Sequence, residues 1–440
     1  MHPVDTIIVA RWIIPIEPEG VVLEDHAVVV RDSRILAILP RAEALAAYPA
    51  GARIERGSHV LMPGLVNAHT HAAMTLFRGI ADDLPLDTWL NQHIWPAEAR
   101  WVTGDFVRDG AELALLEMLQ GGTTTLGDMY YYPDAVARAV ADFGLRAVVG
   151  MIVLEHPTVW ARSPDEYLSK GLAVRDQFKG HPRVSTMFAP HAPYTVADRT
   201  FDQIRVLADE LDVPIQMHVH ETASEVAAGV GQYGSRPLQR LDRLGIVTPL
   251  LAAVHMTQLE TADIELLAAR GASVIHCPES NLKLASGLCP VASVAAAGVN
   301  VALGTDGPAS NNDLDMFGEM RTAALLGKSV AQRADVLPAA TILRMATLNG
   351  AQALGLAERT GSLVPGKEAD MICVDLGRAA TQPVYSPVSQ LVYATSREQV
   401  TDVWVAGRQL LEEGRPTATD SEAILARAAA WGRKLGNGHA

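Results

Sequence analysis

The alternation of β-type and helical segments through the middle of the chain constrains its fold most. Eight short apolar stretches, rich in β-branched residues, lie at 60–66, 123–128, 146–154, 184–189, 214–220, 251–255, 272–277 and 299–305. Segments with helical spacing follow most of them, at 111–119, 135–143, 164–178, 199–211, 237–244, 262–269, 291–297 and 317–326. Strands that are apolar throughout, separated by helices, belong to parallel sheets covered on both faces. A count of eight predicts an α/β fold, a (β/α)8 TIM barrel over residues 61–360. A doubly wound open sheet more often has about five or six strands. The two chain ends differ. Residues 6–14, 23–30 and 34–39 read as strands, and 371–374 and 400–405 return to β character before a helical tail at 421–435.

A barrel makes a demand that the sequence can meet or fail. Catalytic side chains belong at the C-terminal ends of the strands. His69 and His71 lie at the first such end, Asp128 at the second and His191 just past the fourth. His218, His220 and Glu221 end the fifth, His255 the sixth and His276 the seventh, and Asp306 follows the eighth. Half of the 14 histidines therefore fall at these points. His276 and Asp128, taken singly, read as structural. His69 and His71 are spaced i, i+2, which puts both imidazoles on one face of a strand.

Three imidazoles and a carboxylate, His69, His71, His218 and Asp306, make an N3O set for one divalent metal with an open position for water. Thiolate ligands would point to a structural site, whereas His and carboxylate suit a catalytic one. Such a metal lowers the pKa of water from ~15.7 to about 7. Asp306 can then take the water proton, Glu221 can donate one to substrate, and His255 can stabilise the developing centre. The three cysteines, Cys277, Cys289 and Cys373, form no CxxC pair and read as small buried residues of a reducing cytoplasm.

Other classes lose support. A formal net charge of −14 argues against nucleic acid or an anionic membrane as partner. No uninterrupted apolar run reaches the roughly 18 residues of a membrane span. The first residues lack the basic-then-apolar pattern of a signal peptide. Gly229-Val230-Gly231-Gln232-Tyr233-Gly234 spells GxGxxG, but no strand precedes it and no acid follows at the required distance, so it reads as a loop. The H-x-E…P-C-x-x-C signature of zinc cytidine deaminases is absent. His220-Glu221 is not HExxH, so a zincin protease has no support. A barrel kept only as an interaction module would show eroded chemistry, and here ligand, acid and base candidates are all present.

The run Pro63-Gly64-Leu65-Val66-Asn67-Ala68-His69-Thr70-His71 resembles the first-strand motif of the amidohydrolase superfamily. Met217-His218-Val219-His220-Glu221, Asn281-Leu282-Lys283-Leu284 and Gly304-Thr305-Asp306-Gly307-Pro308-Ala309-Ser310-Asn311-Asn312 narrow it. So do Arg78-Gly79-Ile80-Ala81-Asp82-Asp83-Leu84-Pro85-Leu86 and Trp95-Pro96-Ala97-Glu98. Together they resemble the 5-methylthioadenosine/S-adenosylhomocysteine deaminases, in the wider group that includes chlorotriazine hydrolases. The resemblance implies a small β-sandwich built from both chain ends, 1–60 and 361–440, the latter with a terminal helix. It implies one divalent metal per subunit, zinc, on His69, His71, His218 and Asp306. Glu221 would protonate the purine ring as water attacks, His255 would assist, and ammonia would leave an inosine-type product. Glu98 would accept hydrogen bonds from both ribose hydroxyls. His191 and Arg162 would contact the substrate. A homo-oligomer is expected by resemblance alone.

Two departures refine the expectation. Binuclear relatives carry a carboxylated lysine at the end of the fourth strand. Here that segment is Val184-Ser185-Thr186-Met187-Phe188-Ala189-Pro190-His191, so one metal is expected. Some relatives carry an arginine on the third strand, where this chain has Met151. A thioether suits a methylthio group, which predicts 5′-methylthioadenosine or adenosine over S-adenosylhomocysteine. The alternative reading is a deaminase or dechlorinase of another aminated heterocycle, such as guanine, 8-oxoguanine or a chlorotriazine. Glu98 separates the two, because a free base has no ribose.

Overall fold

The computed structural model describes residues 4–436. The chain-end bounds at 1 and 440, and the first three residues of the stretch read for a leader, lie outside the described residues. Eight parallel strands run in sequence order: Leu65–Thr70, Thr123–Asp128, Arg146–Val153, Val184–Pro190, Ile215–Val219, Leu251–His255, Ser273–His276 and Asn300–Leu303. Helices cover them, as the alternation required. Along Ile215–Val219 the odd residues Ile215, Met217 and Val219 join the main apolar core. Gln216 and His218 consequently point to the other face, into the barrel.

The seam between the last and first strands is not a ladder. Instead, the Asp306 amide donates to the His69 carbonyl (3.1 Å). The Asn67 side chain accepts from the Thr305 amide (3.0 Å) and donates to Thr305 Oγ1 (2.7 Å). These bonds close the barrel at the level of the candidate metal ligands and tie His69 to Asp306 directly.

Both chain ends contribute to one separate eight-stranded sheet. Its two halves meet where Ala50–Pro63 pairs antiparallel with Met371–Asp375, in the register Leu61↔Cys373. Ile8, Val28, Leu61, Met371 and Trp404 pack on one of its faces. The apolar run at 60–66 is therefore divided between two sheets, not one strand. Gly64 is the break: a Cβ there would lie 2.1 Å from the Thr124 side chain. Arg146, at the start of the third barrel strand, locks the two layers together. Its Nε donates to Asp370 Oδ2 (2.7 Å) and its Nη2 to Glu368, all buried. Removing one partner of such a buried pair costs about 3–5 kcal/mol.

The GxGxxG stretch is not a loop. Helix Ala223–Tyr233 runs through it, and only Gly234, at φ +67°, ends the helix in the left-handed region. Glycine is a poor helix former, but Gly229 admits close packing: a Cβ there would lie 2.9 Å from Pro237. The tail helix Ser421–Gly436 docks on helix Gly104–Gln120, with Arg427 Nε and Trp431 Nε1 both donating to Asp109. Among the described residues, no helix is long and apolar enough to cross a membrane.

Candidate metal centre and substrate cleft

His69, His71, His218 and Asp306 converge at the C-terminal mouth of the barrel, their ligand atoms all within 4.8 Å of one another. Backbone and side-chain acceptors fix each imidazole. Gln216 Nε2 donates to the Ala68 carbonyl (2.9 Å), which turns Gln216 Oε1 toward His69 Nδ1 (2.7 Å). His71 Nδ1 donates to the Met129 carbonyl, and His218 Nδ1 to the His191 carbonyl (2.8 Å). With protons committed to the three Nδ1 atoms, the three Nε2 lone pairs face one another.

His218 Nε2 and His69 Nε2 lie 3.2 Å apart. Asp306 Oδ1 lies 3.4 Å from His69 Nε2 and 3.2 Å from His71 Nε2. Two imine nitrogens at that distance repel unless a cation lies between them. The donor set fits a divalent metal, and the acceptors behind each imidazole are the supports that such ligands usually have. Asp306 itself sits at φ +63°. Its Oδ2 accepts from Ser280 Oγ (2.6 Å) and Ser310 Oγ (2.8 Å), and its Oδ1 from the Gly307 amide (2.7 Å). Among the described residues, these four side chains are the one group that could hold a metal.

A cleft of about 660 Å³ opens from this centre. Glu221, His255 and His191 line it beside the metal ligands, together with Glu98, Trp89, Trp95, Tyr130, Tyr131, Tyr194, Leu284 and Ile152. Glu221 is buried, with Ser286 Oγ 3.4 Å from its Oε1 and His255 Nε2 3.8 Å from its Oε2. Burial, then the nearby Asp306 carboxylate, push its pKa up to about 8. Both causes favour the protonated acid over the carboxylate. His255, held at φ +72°, has Nδ1 against Asn281 Oδ1 (2.9 Å), which leaves Nε2 facing the cleft. His191 is kept neutral by burial, its pKa lowered to about 3.

Glu98 comes from outside the strands. It lies on helix Trp95–Trp101, in the long excursion that follows the first strand, and Tyr130 Oη donates to its Oε1 (2.7 Å). Burial raises its pKa to about 7, against the lowering effect of Tyr130 and Tyr131.

Arg162 and Met151 are placed differently from expectation. Arg162 is exposed, just before helix Pro164–Gln177, and does not line the cleft; its backbone amide donates to Glu166 (2.9 Å). Met151 points away from the cleft and packs against that helix, where a Cβ on Gly171 would lie 2.8 Å from its own Cβ. Strand alternation explains this, since Val148 faces the barrel interior and Ile152, of the same parity, lines the cleft. Met151 is therefore not placed to contact a methylthio group.

His276, Asp128 and His220 lie outside the cleft lining. The Ala72 amide donates to Asp128 Oδ1 (2.7 Å), His276 is buried outside the cleft lining, and the Leu238 amide donates to His220 Nε2 (3.1 Å). Asn311 braces the loop after Asp306, donating to the Thr305 carbonyl (2.8 Å) and to Glu319 (2.6 Å). Sequence reasoning missed Gln216, Ser280 and the Tyr130–Tyr131 pair. Gln216 carried a signal, lying two residues before His218 on the same strand face.

A (β/α)8 barrel with three imidazoles and a carboxylate gathered at its strand ends defines a metal-dependent hydrolase. Comparison with known proteins makes this specific: residues 60–410 match the amidohydrolase family, and the chain belongs to it. It is 51% identical over 427 residues to a 5-methylthioadenosine/S-adenosylhomocysteine deaminase of Teredinibacter turnerae, covering 97% of each chain. Among solved structures, it superposes with TM-score 0.98 and 54% identity on an adenosine deaminase from Xanthomonas campestris with bound zinc, over 99% of both chains. An atrazine chlorohydrolase, TrzN, from Arthrobacter aurescens complexed with zinc is similar at TM-score 0.90 and 25% identity, over 97% of this chain and 99% of that one.

Proposed function

We propose that the protein is a zinc-dependent hydrolytic deaminase of adenine nucleosides, with 5′-methylthioadenosine its preferred substrate, adenosine next and S-adenosylhomocysteine last. The observation that carries the reading is one cleft holding two buried carboxyls at separate places, Glu221 beside the candidate metal ligands and Glu98 among tyrosines and tryptophans; we read the first as the acid and the second as a two-oxygen acceptor. The related deaminases of Teredinibacter turnerae and Xanthomonas campestris support it.

His69, His71, His218 and Asp306 would hold the metal, which when bound would supply the Lewis acidity that activates water. Glu221 delivers its proton to the purine ring nitrogen beside the carbon under attack. That carbon gains the water oxygen and loses the amine. Asp306 accepts the first proton of water and returns it to the departing amine, and the proton left on the added oxygen restores Glu221 as the carbonyl forms, so the products are the 6-oxopurine nucleoside and ammonia. His255, oriented by Asn281 and 3.8 Å from Glu221, steadies the attacking oxygen. Glu98 accepts both ribose hydroxyls, and the neutral His191 contacts the base.

The order of substrates follows from charge. No lysine or arginine lines the cleft among the described residues. The amino-acid carboxylate of S-adenosylhomocysteine would lack a cationic partner, whereas a methylthio group meets aromatic and aliphatic walls. The three cysteines are free and buried, which suits a reducing cytoplasm. Product release by the zinc-loaded enzyme tests the proposal, read as ammonia from methylthioadenosine, adenosine, S-adenosylhomocysteine, guanine and 8-oxoguanine and as chloride from atrazine. Methylthioadenosine should give the highest kcat/KM; a free base or the triazine ranking first would replace the reading with the alternative.

A further inference from the structure

A buried carboxylate next to the cleft has no part in the chemistry just described. Glu225 lies in the first turn of helix Ala223–Tyr233, whose N-cap is Thr222. In an ordinary capping box, an acid at this position bonds back to the N-cap amide. Glu225 reaches further. Its Oε1 accepts from the His220 amide (3.0 Å) and its Oε2 from the Glu221 amide (2.7 Å). His220 sits at φ +53°, a left-handed turn that a non-glycine residue holds only under constraint.

The same turn is gripped from the other side. The Thr257 and Gln258 amides donate to the His220 carbonyl (3.0 and 3.2 Å), and Thr257 Oγ1 donates to the Glu221 carbonyl (2.7 Å). Every amide and carbonyl of His220 and Glu221 is therefore engaged, and Glu225 supplies both acceptors on the amide side. This turn swings the chain out of the strand and sets where the Glu221 carboxyl emerges.

We propose that Glu225 is a positioning residue for the proton-donating Glu221: its carboxylate clamps the left-handed turn that aims Glu221 into the cleft. The proposal rests on the reading of Glu221 as the acid. Two amides pointing at one side chain require two acceptors. An isosteric amide offers one and turns an NH2 group toward the other amide. A displaced acid loses transition-state proton transfer while substrate binding through Glu98 is retained, so kcat falls and KM does not.

The experiment compares E225Q, E225D, T222A and E221Q as zinc-loaded full-length enzymes, assayed with 5′-methylthioadenosine and adenosine. E225Q should lower kcat by about 10–100-fold with KM within about twofold and unchanged zinc content. E225D, which keeps both acceptor oxygens, should recover much of that loss. T222A removes the acceptor of the Glu225 amide but leaves both Glu225 oxygens on the His220 and Glu221 amides, so it should lower Tm with a far smaller fall in kcat than E225Q. If E225Q does not fold, E225D carries the test, with a smaller fall in kcat at constant KM expected. Wild-type kcat in E225Q, or in E225D where only that variant folds, overturns the proposal. So does a fall in E225Q that T222A matches at equal loss of Tm. E221Q separates the two levels: if it keeps full activity, the acid assignment fails, whereas an inactive E221Q beside a fully active E225Q removes the clamp alone.

Discussion

The two ends of the cleft are built differently. At the metal end, every functional side chain stands on or just past a barrel strand, and hydrogen bonds to carbonyls, an amide side chain or serine hydroxyls hold it. At the Glu98 end, the carboxyl comes from a short helix in the excursion between the first two strands and is held by tyrosines. The difference teaches where chemistry and recognition reside. The strand ends fix a hydrolytic centre that many substrates can share. In the proposed function, the excursion that covers it is where the substrate is chosen, as loops on a barrel commonly do.

Four measurements sharpen or break this division, from the largest expected effect down. At the metal end, Glu221→Gln should lower kcat by roughly 10²–10⁴-fold, the range of a lost general acid, and by similar factors for every substrate the enzyme accepts. A loss confined to nucleosides would move Glu221 to the recognition end.

At the other end, Glu98→Ala should lower kcat/KM for methylthioadenosine by about 10²-fold, since hydrogen bonds to a charged group contribute about 1.5–3 kcal/mol each. Any residual turnover of a free base should change little. Equal losses on both would show that Glu98 serves the chemistry or the fold, not the ribose.

The pH profile reports both ends at once. Glu221 works protonated, so its contribution is present below about 8 and is lost as pH rises through that value. Glu98 works as the carboxylate, so its contribution grows as pH rises through about 7. Nucleoside kcat/KM should peak between these values, and E98A should flatten the acid limb to that of the metal-activated water alone while keeping the alkaline one. Arg162→Ala gives the smallest effect. The exposed side chain lies outside the cleft lining, so kcat/KM should stay within about twofold. A tenfold rise in KM would bring the loop at 155–163 over the substrate.

The contrast between the ends also governs what could be read from the sequence. Strand periodicity and barrel topology make strand ends legible, so His69, His71, His218 and Asp306 could be grouped before any distance was known. Helix Trp95–Trp101 sits in a region without a repeating pattern, and Glu98 emerged through resemblance alone. Met151 was not legible in this way, because strand alternation turns it outward against the covering helix. The loop expected at Gly229–Gly234 failed because tertiary packing against Pro237 outweighed the weak helix propensity of glycine. The clamp at Glu225 carries no sequence signal beyond an ordinary capping pattern; only the reach of its oxygens past the N-cap reveals it.

The central claim is a single metal centre that deaminates an adenine nucleoside. Metal-free protein titrated with zinc, with ammonia release from 5′-methylthioadenosine followed at each addition, tests it most directly. Activity should rise from zero and saturate at one equivalent per subunit. Full activity without metal, or a rise that continues to two equivalents, would contradict the account.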